Sequence, residues 1–409
     1  MNYNDALKLI NSLPQCGFKR FGLSGILKFL EVLGNPQEKL KYVHIAGTNG
    51  KGSVAMFCYS SLKSAGFKTG LYISPYVVNF RERIQINGRF IKKKELVCLV
   101  NRTFNIIKKL NEKGIYLTTF DYVTAIAIYF FYEKGCDFVV LEVGLGGRLD
   151  STNVISSAAA TIITHIDYDH VKELGGEDSS ILKIANEKAG ILKKGSVLIC
   201  SSNQYSEVLY FLKNKAKEKG VEFIMSHSAS FSFCSLKGTY FKFEDVCFKT
   251  NLLGKHQVEN AMLAVTALLK VGISLKHIKK GLKKAFMPSR FEIVNKRPLV
   301  VLDGAHNENG VSCLKENLEL FFKCPRVAVV SIINTKDYCK MLKKIKGVFE
   351  TVILTKMQYE KGVEPKTLKE ECLKLGVKAV VEYNLIKAIR LAESLIAKKG
   401  AVVVFGLLF

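Results

Sequence analysis

No uninterrupted apolar stretch of about 18 or more residues occurs in the chain, so no membrane-spanning helix is indicated. Nor does the amino-terminal segment MNYNDALKLINSLPQ carry the apolar block of a secretory signal. Repeats and low-complexity tracts are absent. Cysteine is present but unpatterned: the eleven positions (Cys16, Cys58, Cys98, Cys136, Cys200, Cys234, Cys247, Cys313, Cys324, Cys339 and Cys372) are scattered and never form C-x-x-C. An odd, scattered set supports neither a zinc cluster nor a disulfide framework. A cytoplasmic protein with reduced thiols is the simplest expectation. Acidic residues are the scarcer charge, 36 Asp and Glu against 61 Lys and Arg, which leaves a formal net charge of +25. Such a field attracts polyanions of any size, from nucleic acid to ATP. No nucleic-acid motif accompanies it, and lysines coating helix faces account for runs such as IKKKEL and KHIKKGLKKAF. Neither a nucleic-acid nor a membrane partner is expected.

What is present is enough for a large core. The 409 residues, 48% of them hydrophobic and 24% charged, suggest two or three domains of a globular protein. YVHIA at 42–46, DFVVLEV at 137–143 and ATIITHI at 160–166 are continuous β-branched runs that read as buried parallel strands. Helical patterns lie between the first two, including 53–65 and 119–133. From about 222 to 250 the pattern becomes alternating aromatics, FSFCSLKGTYFKFEDVCFKT, which suggests antiparallel hairpins. A helix follows at about 256–270. Near 293 the chain restarts with PLVVLDG, RVAVVSI, ETVILT, KAVVE and AVVVFG, five further strand candidates. Helices are expected between them at about 307–322, 336–347, 366–375 and 385–398.

This pattern predicts an α/β protein with two domains. Residues 1–292 would form one domain with a mainly parallel sheet and a small antiparallel β section, which the strand, glycine-rich turn and lysine in HIAGTNGKGSVA at 44–55 make a P-loop-type ATPase domain. Residues 293–409 would form a smaller, doubly wound α/β domain.

HIAGTNGKGSVA at 44–55 is the most informative stretch. A standard P-loop ends in Gly-Lys followed directly by Ser or Thr. Here Gly52 intervenes before Ser53, and Ile45 stands where the first Gly belongs. The context is nevertheless a strand, a glycine-rich turn and a helix. In that arrangement backbone amides and the helix N-terminus converge on an anion, with Lys51 in reach of the terminal phosphates.

GTNGKGS resembles the ATP loop of the Mur ligase superfamily, in the form seen in folylpolyglutamate synthases and dihydrofolate synthases. The likeness extends along nearly the whole chain, through ISPYVVNFRERIQING at 73–88, LEVGLGGRLDSTN at 141–153, HIDYDH at 165–170 and IANEKAGI at 184–191. It continues through GKHQVENA at 254–261, MPSRFE at 287–292 and DGAHNENG at 303–310. Eight motifs in the family's order are far more specific than any one. Only 46 residues precede Gly47, fewer than the extra domain with which cell-wall Mur ligases bind a UDP-sugar. FGLSGILKFLEVLGNPQ instead resembles the short leader of the folate enzymes, which implies a pterin substrate.

The resemblance implies an ATP-dependent amide ligase that activates a carboxylate as an acyl phosphate and joins it to L-glutamate. Its carboxylate substrate would be dihydropteroate, a folate polyglutamate, or both. Gly47, Thr48, Asn49, Gly50, Lys51, Gly52 and Ser53 would hold ATP, together with Asn260, Arg290, Asp303 and His306. Ser74, Glu142 and His170 would bind Mg2+, and His170 would join Lys51 and Lys188 in catalysis. Lys188 matches a position that is carbamylated in many members. Phe21, Gly22 and Leu23, then Thr118, Thr119, Phe120 and Asp121, then Leu149, Asp150 and Ser151 match positions that bind dihydropteroate. The second domain would close over ATP, and the enzyme would act as a monomer.

Departures from the family pattern bear on substrate preference. Tyr76 stands for a common His, Gln85 for a common Arg, Asp121 for the usual Glu, Ser289 for the Gly of PGR, and Glu308 for a common Pro. INTKDY at 333–338 lacks the first Asp of the usual DKD. Two other readings stay open at this point: a non-ligating MgATP switch, and a Mur-type amino-acid ligase acting on another carboxylate.

Overall fold

The computed structural model describes residues 1–15, 22–168, 180–356, 362–396 and 400–406. The chain divides into two compact units. The first comprises Met1–Phe231, Lys242–Lys249 and Glu259–Ala285, and the second Ser232–Phe241, Thr250–Val258 and Phe286–Phe409.

In the first unit, α1 (Tyr3–Asn11) and α2 (Ser24–Val32) precede β1 (Lys41–Ala46), α3 (Lys51–Ser64) and β2 (Thr69–Tyr72). Then come β3 (Ile84–Ile86), β4 (Arg89–Phe90), α4 (Lys93–Asn111), α5 (Thr119–Glu133), β5 (Phe138–Glu142) and β6 (Ala160–Ile163). They are followed by α6 (Ile181–Ala189), β7 (Val197–Cys200), α7 (Ser206–Glu218) and β8 (Glu222–Met225). The sheet order is β4-β3-β2-β5-β1-β6-β7-β8. Strands from β2 to β8 run parallel, and β3 and β4 pair antiparallel at one edge. All five residues of β5 and five of the six in β1 are buried, which is why they read as unbroken apolar runs.

On one face, α1, α2, α4 and α5 cover the sheet through Phe29, Tyr72, Tyr122, Phe131 and Leu141, all fully or almost fully buried. Each such side chain contributes about 1.5–3 kcal/mol of burial free energy. A second cluster, including Ile163, Ile184, Leu198 and Leu212, buries α6 and α7 against β6 and β7.

Three strands, β9 (Phe231–Ser235), β10 (Gly238–Phe243) and β11 (Val246–Thr250), form a separate small sheet. Two-residue links join them, so consecutive strands can pair only antiparallel. The hairpins expected from about 222 are therefore confined to 231–250. Glu222–Met225 instead joins the main sheet, parallel to β7. It is an edge strand of four residues, none of them fully buried, and too short to show the buried-strand signature. Two helices follow, α8 (His256–Lys270) and α9 (Leu275–Lys284).

Helix α9 lies on α3 at close quarters. Ile278, Gly281 and Leu282 are buried, and Ser60 Oγ donates to the Gly281 carbonyl at 2.8 Å. A Cβ on Gly281 would overlap the backbone of Ser61. Gly281→Leu is expected to destabilise the protein by about 1–3 kcal/mol, as overpacking does. The test is the urea midpoint, and an unchanged midpoint would show that the two helices separate without cost.

The second unit holds β12 (Glu292–Lys296), β13 (Leu299–Leu302), α10 (Glu308–Phe321), β14 (Arg326–Val330) and α11 (Tyr338–Lys344). It continues with β15 (Thr351–Leu354), α12 (Pro365–Lys374), β16 (Ala379–Val381), α13 (Leu385–Ile396) and β17 (Ala401–Phe405). Its sheet order is β12-β13-β17-β14-β15-β16. The five expected strands run parallel, and β12 adds an antiparallel edge with an irregularity between Ile293 and Asn295. That edge strand carries Glu292, Asn295 and Lys296 and buries none of its residues, so no apolar run announced it.

Candidate active site

The glycine-rich turn sits where β1 meets α3. Gly47 has φ +146° and Gly50 φ +87°, backbone states that favour glycine. Crowding requires glycine as well: a Cβ at Gly47 would overlap Thr164 Oγ1, and one at Gly50 would overlap the Asn260 side-chain amide.

The turn is held from outside by the segment after β6. Thr48 N and Asn49 N donate to His165 O at 2.9 and 3.4 Å. Thr48 Oγ1 donates to Asp167 O at 3.0 Å, and Thr164 Oγ1 donates to Asn49 O at 2.7 Å. The amides at the start of α3 complete an anion cradle at a helix N-terminus.

Two lysines converge on this turn. Lys51, the first residue of α3, curls back so that Nζ donates to Gly47 O and Thr48 O, each at 3.1 Å. Lys188, from α6, donates to the same Gly47 carbonyl at 2.8 Å and is only 4% exposed. Lys51 brings positive charge to the turn, and Lys188 sets a second side-chain nitrogen against the same carbonyl.

Glu142 ends β5 in register with Ile45 of β1, the C-terminal strand edge where open α/β sheets hold ligands. It is buried, and one carboxylate oxygen accepts from Ser74 N at 3.1 Å. Ser74 and Glu142 are therefore neighbours. Among the described residues no group of three or more His, Cys, Asp or Glu side chains is arranged to hold a metal. His170 lies outside the described residues.

A second group of polar side chains surrounds the start of α5. Thr118 caps the helix: Asp121 Oδ2 accepts from Thr118 N at 2.9 Å and from Thr118 Oγ1 at 2.7 Å. Ser151 Oγ donates to the other oxygen of Asp121 at 2.6 Å. Asp121 is thus both a cap and a link to the loop after β5.

Within that loop, Asp150 Oδ1 accepts from Thr152 N at 3.0 Å and Thr152 Oγ1 at 2.6 Å, while Oδ2 accepts from Leu145 N at 2.9 Å. Burial pushes the Asp150 carboxyl up from its ordinary pKa, and these hydrogen bonds oppose that rise. The Phe120 ring lies against Gly144, and Leu23 and Phe120 pack on one apolar cluster. Thr119 Oγ1 donates to Leu13 O at 3.0 Å, and Leu149 is half-buried. Gly22 has φ +71° just ahead of α2; Phe21 lies outside the described residues.

The loop also meets α6. Arg148 N donates to Glu187 O at 2.8 Å, and Arg148 Nε donates to a Glu187 carboxylate oxygen at 2.9 Å. Gly147 has no room for a side chain beside Glu187 O and the Lys188 backbone. The sequence thus brings the phosphate turn, Glu142, Lys188 and the loop at 144–152 together within the first unit.

In the second unit, Asp303 follows β13 and accepts from Phe291 N and Ala305 N, each at 2.8 Å. Burial raises its pKa to about 6 against the opposing charge of Arg290. Arg290 Nη1 donates to Ser289 O at 3.1 Å, and His306 Nδ1 donates to Gly304 O at 2.7 Å. Burial, reinforced by Arg290, lowers the pKa of His256 to about 4. Ser289 has φ +56°, so the residue that replaces a glycine of the resembled motif still adopts a glycine-like backbone.

The Mur ligase middle domain matches residues 45–268, and the Mur ligase glutamate ligase domain matches residues 289–406. The chain belongs to the Mur ligase family and is an ATP-dependent ligase of its folylpolyglutamate synthase/dihydrofolate synthase group. It is 36% identical over 383 residues to the dihydrofolate synthase/folylpolyglutamate synthase of Bacillus subtilis, across 90% of this chain and 88% of that protein. Mycobacterium tuberculosis folylpolyglutamate synthase complexed with ADP aligns at a TM-score of 0.92 and 26% identity, over 99% of this chain and 96% of that one. E. coli FolC in complex with DHPP and ADP aligns at a TM-score of 0.86 and 26% identity, over 100% and 95%.

Proposed function

We propose that the protein joins L-glutamate to a folate-type carboxylate at the expense of ATP, acting on dihydropteroate, on reduced folates bearing glutamate tails, or on both. The observation that carries this reading is the convergence of Lys51 and Lys188 on Gly47 O at the head of α3, with Glu142 at the neighbouring strand end. In the first step the substrate carboxylate takes the γ-phosphoryl group of ATP, giving an acyl phosphate and ADP. In the second, the glutamate amine attacks the acyl carbon, phosphate departs and the amine loses a proton. Charge grows on the phosphoryl oxygens in the first step, and a preorganised ammonium at the turn stabilises it without reorganisation.

The oxygen-rich pair Ser74 and Glu142 suits Mg2+, with His170 as the third ligand in this reading. When bound, Mg2+ would offset phosphate charge beside Lys51. Thr118–Asp121, Leu149, Asp150 and Ser151 form the substrate side together with residues 21–23, and Asn260, Arg290, Asp303 and His306 are assigned nucleotide contacts. The proposal includes a cytoplasmic monomer with no nucleic-acid or membrane partner. Among the described residues no helix is long and apolar enough to cross a membrane.

The test is whether ADP release requires both co-substrates. With MgATP, release is expected only when L-glutamate and a pteroate or folate are both present, and parallel assays with dihydropteroate and tetrahydrofolate divide the two ligase activities. ADP release that ignores either co-substrate would overturn ligation in favour of a nucleotide switch.

A further inference from the structure

His44 lies in the middle of β1, wholly buried, three residues before the phosphate turn. Its Nε2 is 2.9 Å from Thr152 Oγ1. Thr152 has one hydroxyl proton, and the 2.6 Å contact with Asp150 Oδ1 claims it, since a carboxylate only accepts. Thr152 Oγ1 must therefore accept from His44, which places the imidazole proton on Nε2. Nδ1 is then an acceptor, and it is buried without a hydrogen-bond partner among the described residues. A second proton there would create an unpartnered buried cation. Burial, reinforced by Lys193, accordingly lowers the His44 pKa to about 3, and the ring stays neutral.

A core histidine that merely filled space would be a poor choice, because an aliphatic side chain would leave no orphaned nitrogen at this strand position. The imidazole does something an aliphatic chain cannot: it donates to a hydroxyl. That hydroxyl donates to Asp150, and Asp150 holds Leu145 N and Thr152 N on either side of the loop. Between those anchors stands Ser151, bonded to Asp121, and immediately before the first of them is Gly144, packed under Phe120.

We propose that His44 is a positioning residue for substrate, fixing through Thr152 and Asp150 the loop at 144–152 that forms one side of the pterin site. The inference rests on the assignment of that loop and Asp121 to the folate-type substrate. His44 touches neither substrate nor the reacting atoms; it sets the direction of the Thr152 hydroxyl and thereby the conformation of the loop.

The experiment compares His44→Phe, which fills the volume without a donor, with His44→Gln, whose amide nitrogen reaches the place of Nε2. Thr152→Val removes the next link, and Asp150→Asn tests the assignment of the loop. KM for the pteroate or folate substrate, KM for ATP, kcat and Tm are measured for each in the full-length protein. His44→Phe and Thr152→Val are expected to raise KM for the pterin substrate about tenfold, the effect of one buried hydrogen bond. KM for ATP should stay within about twofold of wild type, and His44→Gln should recover most of the loss.

A purely structural role would lower Tm for both His44 variants and leave the ratio of the two KM values unchanged, and that result would overturn the proposal. If His44→Phe does not fold, Thr152→Val decides the matter alone, since it leaves the imidazole in place. If Asp150→Asn leaves KM for the pterin substrate unaltered, the assignment of the loop falls and the inference with it. If Asp150→Asn raises that KM while the His44 and Thr152 variants do not, only the link through His44 is lost.

Discussion

Lys51→Ala should reduce turnover at saturating ATP by on the order of 10²-fold or more, the usual effect of removing one preorganised charge that meets the transition state. Lys51 opens α3, so its backbone belongs to the helix N-terminus while its side chain arches over the turn. Gly47 O and Thr48 O hold Nζ at 3.1 Å each, which fixes the ammonium before substrate arrives. Little ordering cost then remains at the moment of phosphoryl transfer. The diagnostic quantity is the division between kcat and KM for ATP. A raised KM with normal kcat would mean that Lys51 assists binding alone, and its catalytic role would be withdrawn.

Lys188→Ala should be nearly inactive and should regain part of its activity with millimolar acetate. The carbamate is what the family resemblance implies for Lys188, and the structure adds one observation, that its Nζ is buried against the phosphate turn at 2.8 Å from Gly47 O. Carbamylation joins the neutral amine to CO2 with release of a proton, turning a cation into an anion with two oxygens. Truncation to alanine would leave room in which a small carboxylate can place two oxygens where the carbamate would have them. Lys51→Ala supplies the control, since lost positive charge is not replaced by acetate. Full activity of Lys188→Ala would end the idea. Loss without rescue would keep the lysine and discard the carbamate.

These two lysines illustrate what the sequence made legible. Lys51 stands out because strand, glycines and lysine are contiguous, and the helix at 119–133 has the same bounds in the structure. The five strands expected after 293 are all present as well, because strands covered on both faces read as unbroken apolar runs. Lys188, by contrast, is one helix lysine among many, and only the ordered set of motifs singled it out.

Edges were harder to read. Polar residues dilute the pattern of β12, and Glu222–Met225 is only four residues long and half-exposed. Long-range polar links escaped altogether. Thr48 and Asp167 exchange hydrogen bonds across 119 positions of chain, and nothing local in either segment announces it. His44 carries a local signal, a polar side chain inside a strand whose other buried residues are aliphatic or aromatic.

Helix α9 gives the excess of lysine a different meaning. It anchors to α3 through Ile278, Gly281 and Leu282, while Lys276, Lys279, Lys280 and Lys284 remain exposed. Packing and charge are carried by different residues of one short helix. Evolutionary drift, or an engineer, can change the electrostatic character of this surface without disturbing the core that supports the phosphate turn. Each exchange of one of these lysines for glutamate lowers the formal net charge by two and leaves the three anchoring residues in place. The basicity of the chain is therefore an adjustable trait, governing solubility and encounters with anions, that can vary on a schedule separate from the chemistry.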